Sequence, residues 1–174
     1  AISSIEQGRT HYTSNYGMME LRELISEYLS SRYHVQYPAE QVLVTIGASE
    51  ALDLAFRAIL EPGDEVLVPA PSYVSYEPGV AFCHGVPVPV ETKEEDNFIL
   101  TPEQIERVIT KKTKAIVLPY PNNPTGAIMT REQLDAIRTV ILKHDLFVIS
   151  DEIYSELTYG QRHVSFAEGM EDRT

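Results

Sequence analysis

Tryptophan is absent from this sequence, and Cys83 is the only cysteine among the 174 residues. A lone cysteine excludes an internal disulfide, and its setting in Ala81-Phe82-Cys83 is typical of a small core residue. This favours a reducing compartment. No apolar run reaches the ~18 residues of a membrane-spanning helix, and the first residues show no basic-then-apolar signal pattern. We therefore expect a cytoplasmic protein that has no membrane partner.

Basic residues are also scarce, because 14 Lys and Arg stand against 26 Asp and Glu, giving a net charge of −12 at pH 7. Such a chain is not expected to bind nucleic acid. The five histidines show no H-x-x-H or H-E-x-x-H spacing, so no metal site is predicted. With 43% hydrophobic and 23% charged residues, the composition is that of a globular domain or part of one.

Strand patterns alternate with helix patterns along most of the chain. After an amphipathic helix that begins near Leu21 and is closed by Pro38, five strands are predicted at 42–46, 65–69, 86–90, 115–118 and 147–150. Helices are predicted at 48–60, at 72–82, and after capping boxes at 101–104 and 130–133. This order predicts an α/β fold with three α/β/α layers and a mostly parallel sheet, whose proline-containing third strand lies at an edge.

Polar and aromatic residues follow four of these strands. Parallel strands gather their carboxyl ends at one rim, where ligands bind in open α/β sheets. Each position has a simple structural explanation: Ala48 and Ser49 could form a helix start, Tyr73 could be a packing tyrosine, Asn123 could lie in a turn, and Asp151 and Tyr154 could be a cap and a core residue. The structural explanation is the better one for each position alone, but each could also serve chemistry, as a phosphate-binding turn, a stacking ring, a rigid amide or an acid that faces a cation. Their joint occurrence at one rim favours a binding site.

Three motifs together resemble the fold-type-I, pyridoxal-phosphate-dependent aminotransferases of class I and II. They are Asn122-Asn123-Pro124-Thr125-Gly126, Ser150-Asp151-Glu152-Ile153-Tyr154 and Tyr12…Gly17…Glu20-Leu21-Arg22. The likeness covers essentially the whole chain. Within the class it is similar to bacterial aminotransferase A and N-acetyl-LL-diaminopimelate aminotransferase, through Leu118-Pro119-Tyr120-Pro121 and Ser155-Glu156-Leu157-Thr158-Tyr159.

The resemblance implies pyridoxal 5'-phosphate as cofactor and a role for each rim residue. Asp151 matches the acid that pairs with the protonated ring nitrogen of the cofactor. Tyr154 and Asn123 match the hydrogen-bond partners of its phenolic oxygen, and Tyr73 matches the aromatic residue stacked on its ring. Ala48 and Ser49 match the phosphate-binding turn. Tyr12 matches a tyrosine that reaches the phosphate of the neighbouring subunit, which implies a homodimer.

The Schiff-base lysine of the family has no counterpart among the five lysines of the chain. We expect all five to be solvated surface charges. The family's remaining strands and its C-terminal small domain are also missing. We therefore expect a fragment that is inactive alone: residues 1–40 lead into the large domain, and residues 41–174 form an incomplete cofactor-binding large domain.

For the full-length protein, the resemblance implies transfer of an amino group between an amino acid and a 2-oxo acid. Two alternatives keep the cofactor: a carbon–sulfur lyase of the same fold, and a non-catalytic regulator domain that binds pyridoxal phosphate. A fourth hypothesis is that the short chain is the whole product and acts as an inactive binding module.

Overall fold

A computed structural model describes all 174 residues, and their contacts divide the chain into two units, residues 1–45 and residues 46–174. The smaller unit contains two helices, α1 (Ile2–Glu6) and α2 (Met19–Tyr33), and a short 3-10 helix at Ala39–Gln41. α2 confirms the helix predicted near Leu21. Its apolar stripe is largely exposed, however, and the buried members of the helix are Arg22 and Tyr33.

The strand predicted over residues 42–46 is not formed, and this prediction was wrong. The backbone N–H of Val44 donates to the carbonyl oxygen of Tyr16 at 3.0 Å, and Arg22 Nε donates to the carbonyl oxygen of Val42 at 2.8 Å. No other strand pairs with this stretch, since all ladders join strands after residue 64. The β-branched residues of 42–46 give it strand propensity, but propensity does not form a strand without a neighbour.

The larger unit is built on a four-stranded parallel sheet in the order β2-β1-β3-β4. The strands are β1 (Glu65–Ala70), β2 (Val86–Glu91), β3 (Thr113–Leu118) and β4 (Phe147–Ser150). They confirm four of the five predicted strands. β2 lies at an edge, as its two prolines required, because proline cannot donate to a second neighbour.

Four helices flank this sheet: α3 (Gly47–Ile59), α4 (Tyr76–Phe82), α5 (Pro102–Val108) and α6 (Arg131–His144). The capping boxes predicted at the starts of α5 and α6 are both present. α4 begins four residues after the predicted start at residue 72. A helix from residue 72 would have placed Pro78 in its interior, whereas a start at Tyr76 leaves Pro78 in the first turn, where no helical N–H is required.

Side chains that alternate along β1 and β3 pack on opposite faces of the sheet. One face holds Val66, Val68, Ala115 and Val117 against α3 and α4, through Leu52, Phe56, Tyr76 and Val80. The other face holds Leu67, Ile116, Leu118 and Val148 against α5 and α6, through Ile105, Leu134, Ile137 and Ile141. These two cores confirm the three-layer α/β/α architecture. No helix in the chain is both long and apolar enough to cross a membrane.

Candidate active site

A cavity of about 200 Å³ opens at the carboxyl ends of the parallel strands. Six of the seven residues predicted from the sequence line it: Ala48, Ser49, Tyr73, Asn123, Asp151 and Tyr154. They come from four separate parts of the chain, which the parallel sheet and α3 bring together. The seventh, Tyr12, belongs to the smaller unit, and its side chain is fully exposed.

Asp151 follows β4 directly and is held by three hydrogen bonds. Its backbone N–H donates to the carbonyl oxygen of Leu118 at 3.1 Å, which continues the β3–β4 pairing by one residue. Oδ1 accepts from the backbone N–H of Ile153 at 3.2 Å, and Oδ2 accepts from the hydroxyl of Tyr76 at 2.8 Å. No lysine or arginine lines the cavity. The cavity therefore presents an oriented carboxylate without a cationic side chain beside it.

Tyr76 is a pocket residue that the sequence analysis missed. Burial, followed by the negative charge of Asp151, raises the pKa of Tyr76 far above its ordinary value, so its hydroxyl stays protonated and donates to that carboxylate. The two residues are 75 positions apart, and local patterns do not report such a contact. The one sequence feature that could have indicated a place for Tyr76 in the pocket is its position three residues after the predicted site residue Tyr73.

Tyr73 lines the cavity beside Tyr76. Its ring centre lies 5.7 Å from that of Tyr76, at an interplanar angle of 79°, which is an edge-to-face contact. Hydrogen bonds with Ser75 and then Ser49 lower the pKa of Tyr73. The side chain is 37% exposed, so the ring lines the cavity without being buried in the core.

Asn123 and Tyr154 meet on another wall, where Asn123 Nδ2 lies 3.5 Å from Tyr154 Oη. A contact of this length is weak, which leaves both groups able to bind a shared acceptor. The loop that carries Asn123 is tied by its neighbour Asn122, whose Oδ1 accepts from the N–H and the hydroxyl of Thr125 at 3.2 and 3.0 Å. The Asn123–Pro124 peptide bond is cis.

Ala48 and Ser49 lie in the first turn of α3 and line the same cavity. First-turn N–H groups have no acceptor one turn earlier, and the helix dipole adds positive potential at this end. This thirteen-residue helix therefore offers N–H donors and the Ser49 hydroxyl to an anion.

Known proteins of related sequence identify the family. The aminotransferase class I and II family matches residues 2–173. The chain belongs to this family. It is 44% identical to an aspartate aminotransferase of Bacillus subtilis, over 99% of this chain and 44% of that protein. It is 45% identical to a B. subtilis protein named as a probable N-acetyl-LL-diaminopimelate aminotransferase, over 100% of this chain and 44% of that protein.

Solved aminotransferase structures share the fold. Thermus thermophilus aspartate aminotransferase with maleate superposes with a TM-score of 0.96 at 41% identity, over 99% of this chain and 45% of that one. An aromatic aminotransferase from Pyrococcus horikoshii gives 0.93 at 40% identity, over 96% and 45%. These likenesses confirm the predicted family and its fold-type-I α/β architecture. The chain spans less than half the length of each of these relatives.

Aminotransferases of this family are generally dependent on pyridoxal phosphate, and the cavity fits the chemistry of that cofactor. Asp151 is an acceptor for a protonated ring nitrogen, Asn123 and Tyr154 are donors for a phenolic oxygen, and the start of α3 suits a phosphate. No lysine of the chain lines it. Lys93 pairs with Glu95, Lys143 pairs with Glu106, and Lys114 lies over Phe147 at the opposite ends of β3 and β4.

Proposed function

We propose that the full-length protein is a pyridoxal-phosphate-dependent aminotransferase that moves an amino group between an amino acid and a 2-oxo acid. The observation that carries this proposal is the Asp151 carboxylate in a cavity with Ser49, Tyr73, Asn123 and Tyr154. Membership of the class I and II aminotransferases supports it.

Asp151 would hold the ring nitrogen of the cofactor in its protonated form. A half-buried carboxylate beside a cation keeps both groups charged, because each offsets the desolvation of the other. When bound, pyridoxal phosphate supplies an electron sink for the substrate carbanion, and a protonated ring strengthens that property. Tyr76 would orient Asp151 through its 2.8 Å hydrogen bond.

The other rim residues would bind and orient the cofactor. Asn123 and Tyr154 would donate hydrogen bonds to its phenolic oxygen, and Tyr73 would pack on the ring face. The N–H groups at Ala48 and Ser49, with the Ser49 hydroxyl, would hold the phosphate at the start of α3.

We further propose that residues 41–174 form part of the cofactor-binding large domain. The Schiff-base lysine and the small domain would belong to other parts of the full-length protein. The active unit would be a homodimer in which Tyr12 reaches the phosphate in the neighbouring subunit. The match of Tyr12 to the family motif Tyr12…Gly17…Glu20-Leu21-Arg22 supports this, and the side chain of Tyr12 is fully exposed in this chain.

The test is replacement of Asp151 in the full-length protein, with aspartate as the first amino donor because several relatives carry that name. We expect Asp151→Ala to lower transamination by about 100-fold or more, since it removes the charge opposite the ring nitrogen. The matched control is Asp53→Ala, which removes a carboxylate from an exposed ion pair with Arg57 in α3.

Near-normal amino transfer by the Asp151→Ala variant would contradict the proposal. Pyruvate and ammonia are measured in parallel assays in which cysteine, whose Cβ–S bond a lyase can break, replaces aspartate. Their release by the wild-type protein without amino transfer would favour a carbon–sulfur lyase.

A further inference from the structure

The carboxylate of Glu152 collects four hydrogen bonds beside the cavity. Oε1 accepts from Ser150 Oγ at 2.7 Å, from Ser165 Oγ at 3.0 Å and from the backbone N–H of Phe166 at 3.0 Å. Oε2 lies 2.8 Å from His163 Nε2. Because an ionised carboxylate only accepts, the histidine nitrogen is the donor.

This site is closed to ligands. The side chains of Glu152 and His163 are 19% and 8% exposed, and Glu152 does not line the cavity that Asp151 lines. The carboxylates of the two consecutive acids therefore have different surroundings. Asp151 is oriented towards the cavity, whereas Glu152 uses its carboxylate entirely within the protein.

The segment to which Glu152 is tied is itself fixed to the core. Phe166 is 2% exposed, and Arg138 Nη2 on α6 donates to its carbonyl oxygen at 3.0 Å and to that of Ser165 at 3.4 Å. The Arg138 guanidinium also lies 5.4 Å from the centre of the Phe166 ring. Glu152 thus connects the end of β4 to a segment that is itself hydrogen-bonded to α6.

We propose that Glu152 is a positioning residue that holds Asp151 against the cofactor. This inference rests on the proposed function. Asp151 stands between Ser150, the last residue of β4, and Glu152, and the residues after it form no regular element before Ser155. Fixing Glu152 on one side and Ser150 on the other limits the rotation of the Asp151 backbone, and with it the direction of the carboxylate.

The first experiment compares Glu152→Ala and Glu152→Gln in the full-length protein. The dissociation constant for pyridoxal phosphate is measured by fluorescence titration, and the absorption spectrum of the bound cofactor is recorded. We expect Glu152→Ala to weaken binding about tenfold or more and to shift the spectrum, because a small misplacement of an orienting group is costly. Glu152→Gln keeps the Oε1 acceptor and should stay within about threefold of wild type.

Glu106→Ala is the matched control. Glu106 also binds a histidine, at 3.0 Å to His144, and a lysine, at 2.7 Å to Lys143, but on the surface between α5 and α6. Its loss should leave the cofactor affinity and the spectrum unchanged, whatever it does to thermal stability.

A double-mutant cycle separates positioning from a general loss of structure. If Glu152 acts through Asp151, then Glu152→Ala should weaken binding in the wild-type background but have no further effect in an Asp151→Asn background. Should Glu152→Ala not fold, Ser150→Ala removes the 2.7 Å donor and replaces it in the cycle, with an expected weakening of about threefold.

An unchanged affinity in the single variant, or an equal loss in both backgrounds, overturns the positioning role and leaves the proposed function intact. An unchanged affinity and spectrum in Asp151→Asn alone overturns the contact between Asp151 and the cofactor, and the role of Glu152 with it, whereas the proposed function fails only if Asp151→Ala also keeps near-normal transamination.

Discussion

Tyr76 supplies the one side-chain hydrogen bond to Asp151, and removing its hydroxyl tests whether orientation of that carboxylate matters. The ring is 2% exposed, so phenylalanine fills the same space. In the full-length protein we expect Tyr76→Phe to weaken pyridoxal phosphate binding about fivefold, or roughly 1 kcal/mol, since Oδ2 loses its donor. Fluorescence titration of the protein freed of cofactor measures this.

Tyr120→Phe is the control for that change, because it removes a tyrosine hydroxyl outside the cavity. It should leave cofactor affinity as in the wild type. Equal affinities in wild type and Tyr76→Phe would show that the backbone N–H of Ile153 alone holds Asp151 well enough.

The residues that sequence reasoning found are those whose position follows from topology. Asp151 comes directly after β4, Asn123 lies in the loop that follows β3, and Ser49 lies in the first turn of α3, so a parallel sheet puts them at one rim whatever the details of packing. The roles of Tyr76 and Glu152 were not predicted, because they depend on the hydrogen-bond partners that their side chains find only in the folded protein. Glu152 follows Asp151 in the chain, yet its four partners become visible only when residues 163–166 are folded beside it.

At the scale of elements, local sequence was sufficient where local hydrogen bonds decide. The capping boxes at Thr101 and Thr130 satisfy their own first-turn donors, so the starts of α5 and α6 could be predicted to the residue. The strand expected over residues 42–46 depends on a neighbour that local sequence does not supply. The start of α4 depends on where Pro78 can be accommodated, which a hydrophobic pattern does not weigh.

Tyr120 connects the end of β3 to the approach to α5, and its ionisation should weaken that connection. Its hydroxyl donates to the carbonyl oxygen of Phe98 at 3.1 Å and accepts from the backbone N–H of Leu100 at 3.0 Å. Burial raises the pKa of Tyr120 to about 12 from an ordinary 10.0, although the N–H of Leu100 opposes this in part. The folded protein therefore holds this proton more tightly than the unfolded chain does.

The sign of the pH dependence follows from that difference. The stability contributed by Tyr120 is fully present below about pH 10 and is lost as the pH rises towards the folded pKa, by roughly 2 to 3 kcal/mol. In urea denaturation of the full-length protein, Tyr120→Phe should lower the free energy of unfolding at pH 7 by about 1 to 3 kcal/mol, because Leu100 loses its acceptor, and should flatten the decline above pH 10.

Tyr159→Phe serves as the reference, since its side chain is 85% exposed and its hydroxyl should matter little at any pH. Alkaline declines of equal slope in Tyr120→Phe and wild type would contradict the assignment.

On the scale of the whole molecule, six of the seven predicted site residues line one cavity, and none of the lining residues is a lysine or an arginine. Among the residues of this chain, N–H and hydroxyl donors at the start of α3 would hold the phosphate of the cofactor. Any additional donor to the phosphate is therefore valuable. In the proposed dimer, Tyr12 of the neighbouring subunit is that donor.

Subunit complementation tests that arrangement in the full-length protein. Tyr12→Ala and Asp151→Ala homodimers should each lose about tenfold or more of the wild-type activity, because one lacks the donor to the phosphate and the other the partner of the ring nitrogen.

Unfolding and refolding a mixture of the two chains forms heterodimers by random pairing. If Tyr12 acts on the neighbouring subunit, one site of each heterodimer receives both intact residues, and the second site carries both changes. About half of the chains pair with the other variant, so the mixture should recover roughly a quarter of the wild-type activity. If Tyr12 serves its own chain, both sites of the heterodimer stay defective, and an unrecovered mixture, checked by a refolded wild-type sample, would exclude the shared site.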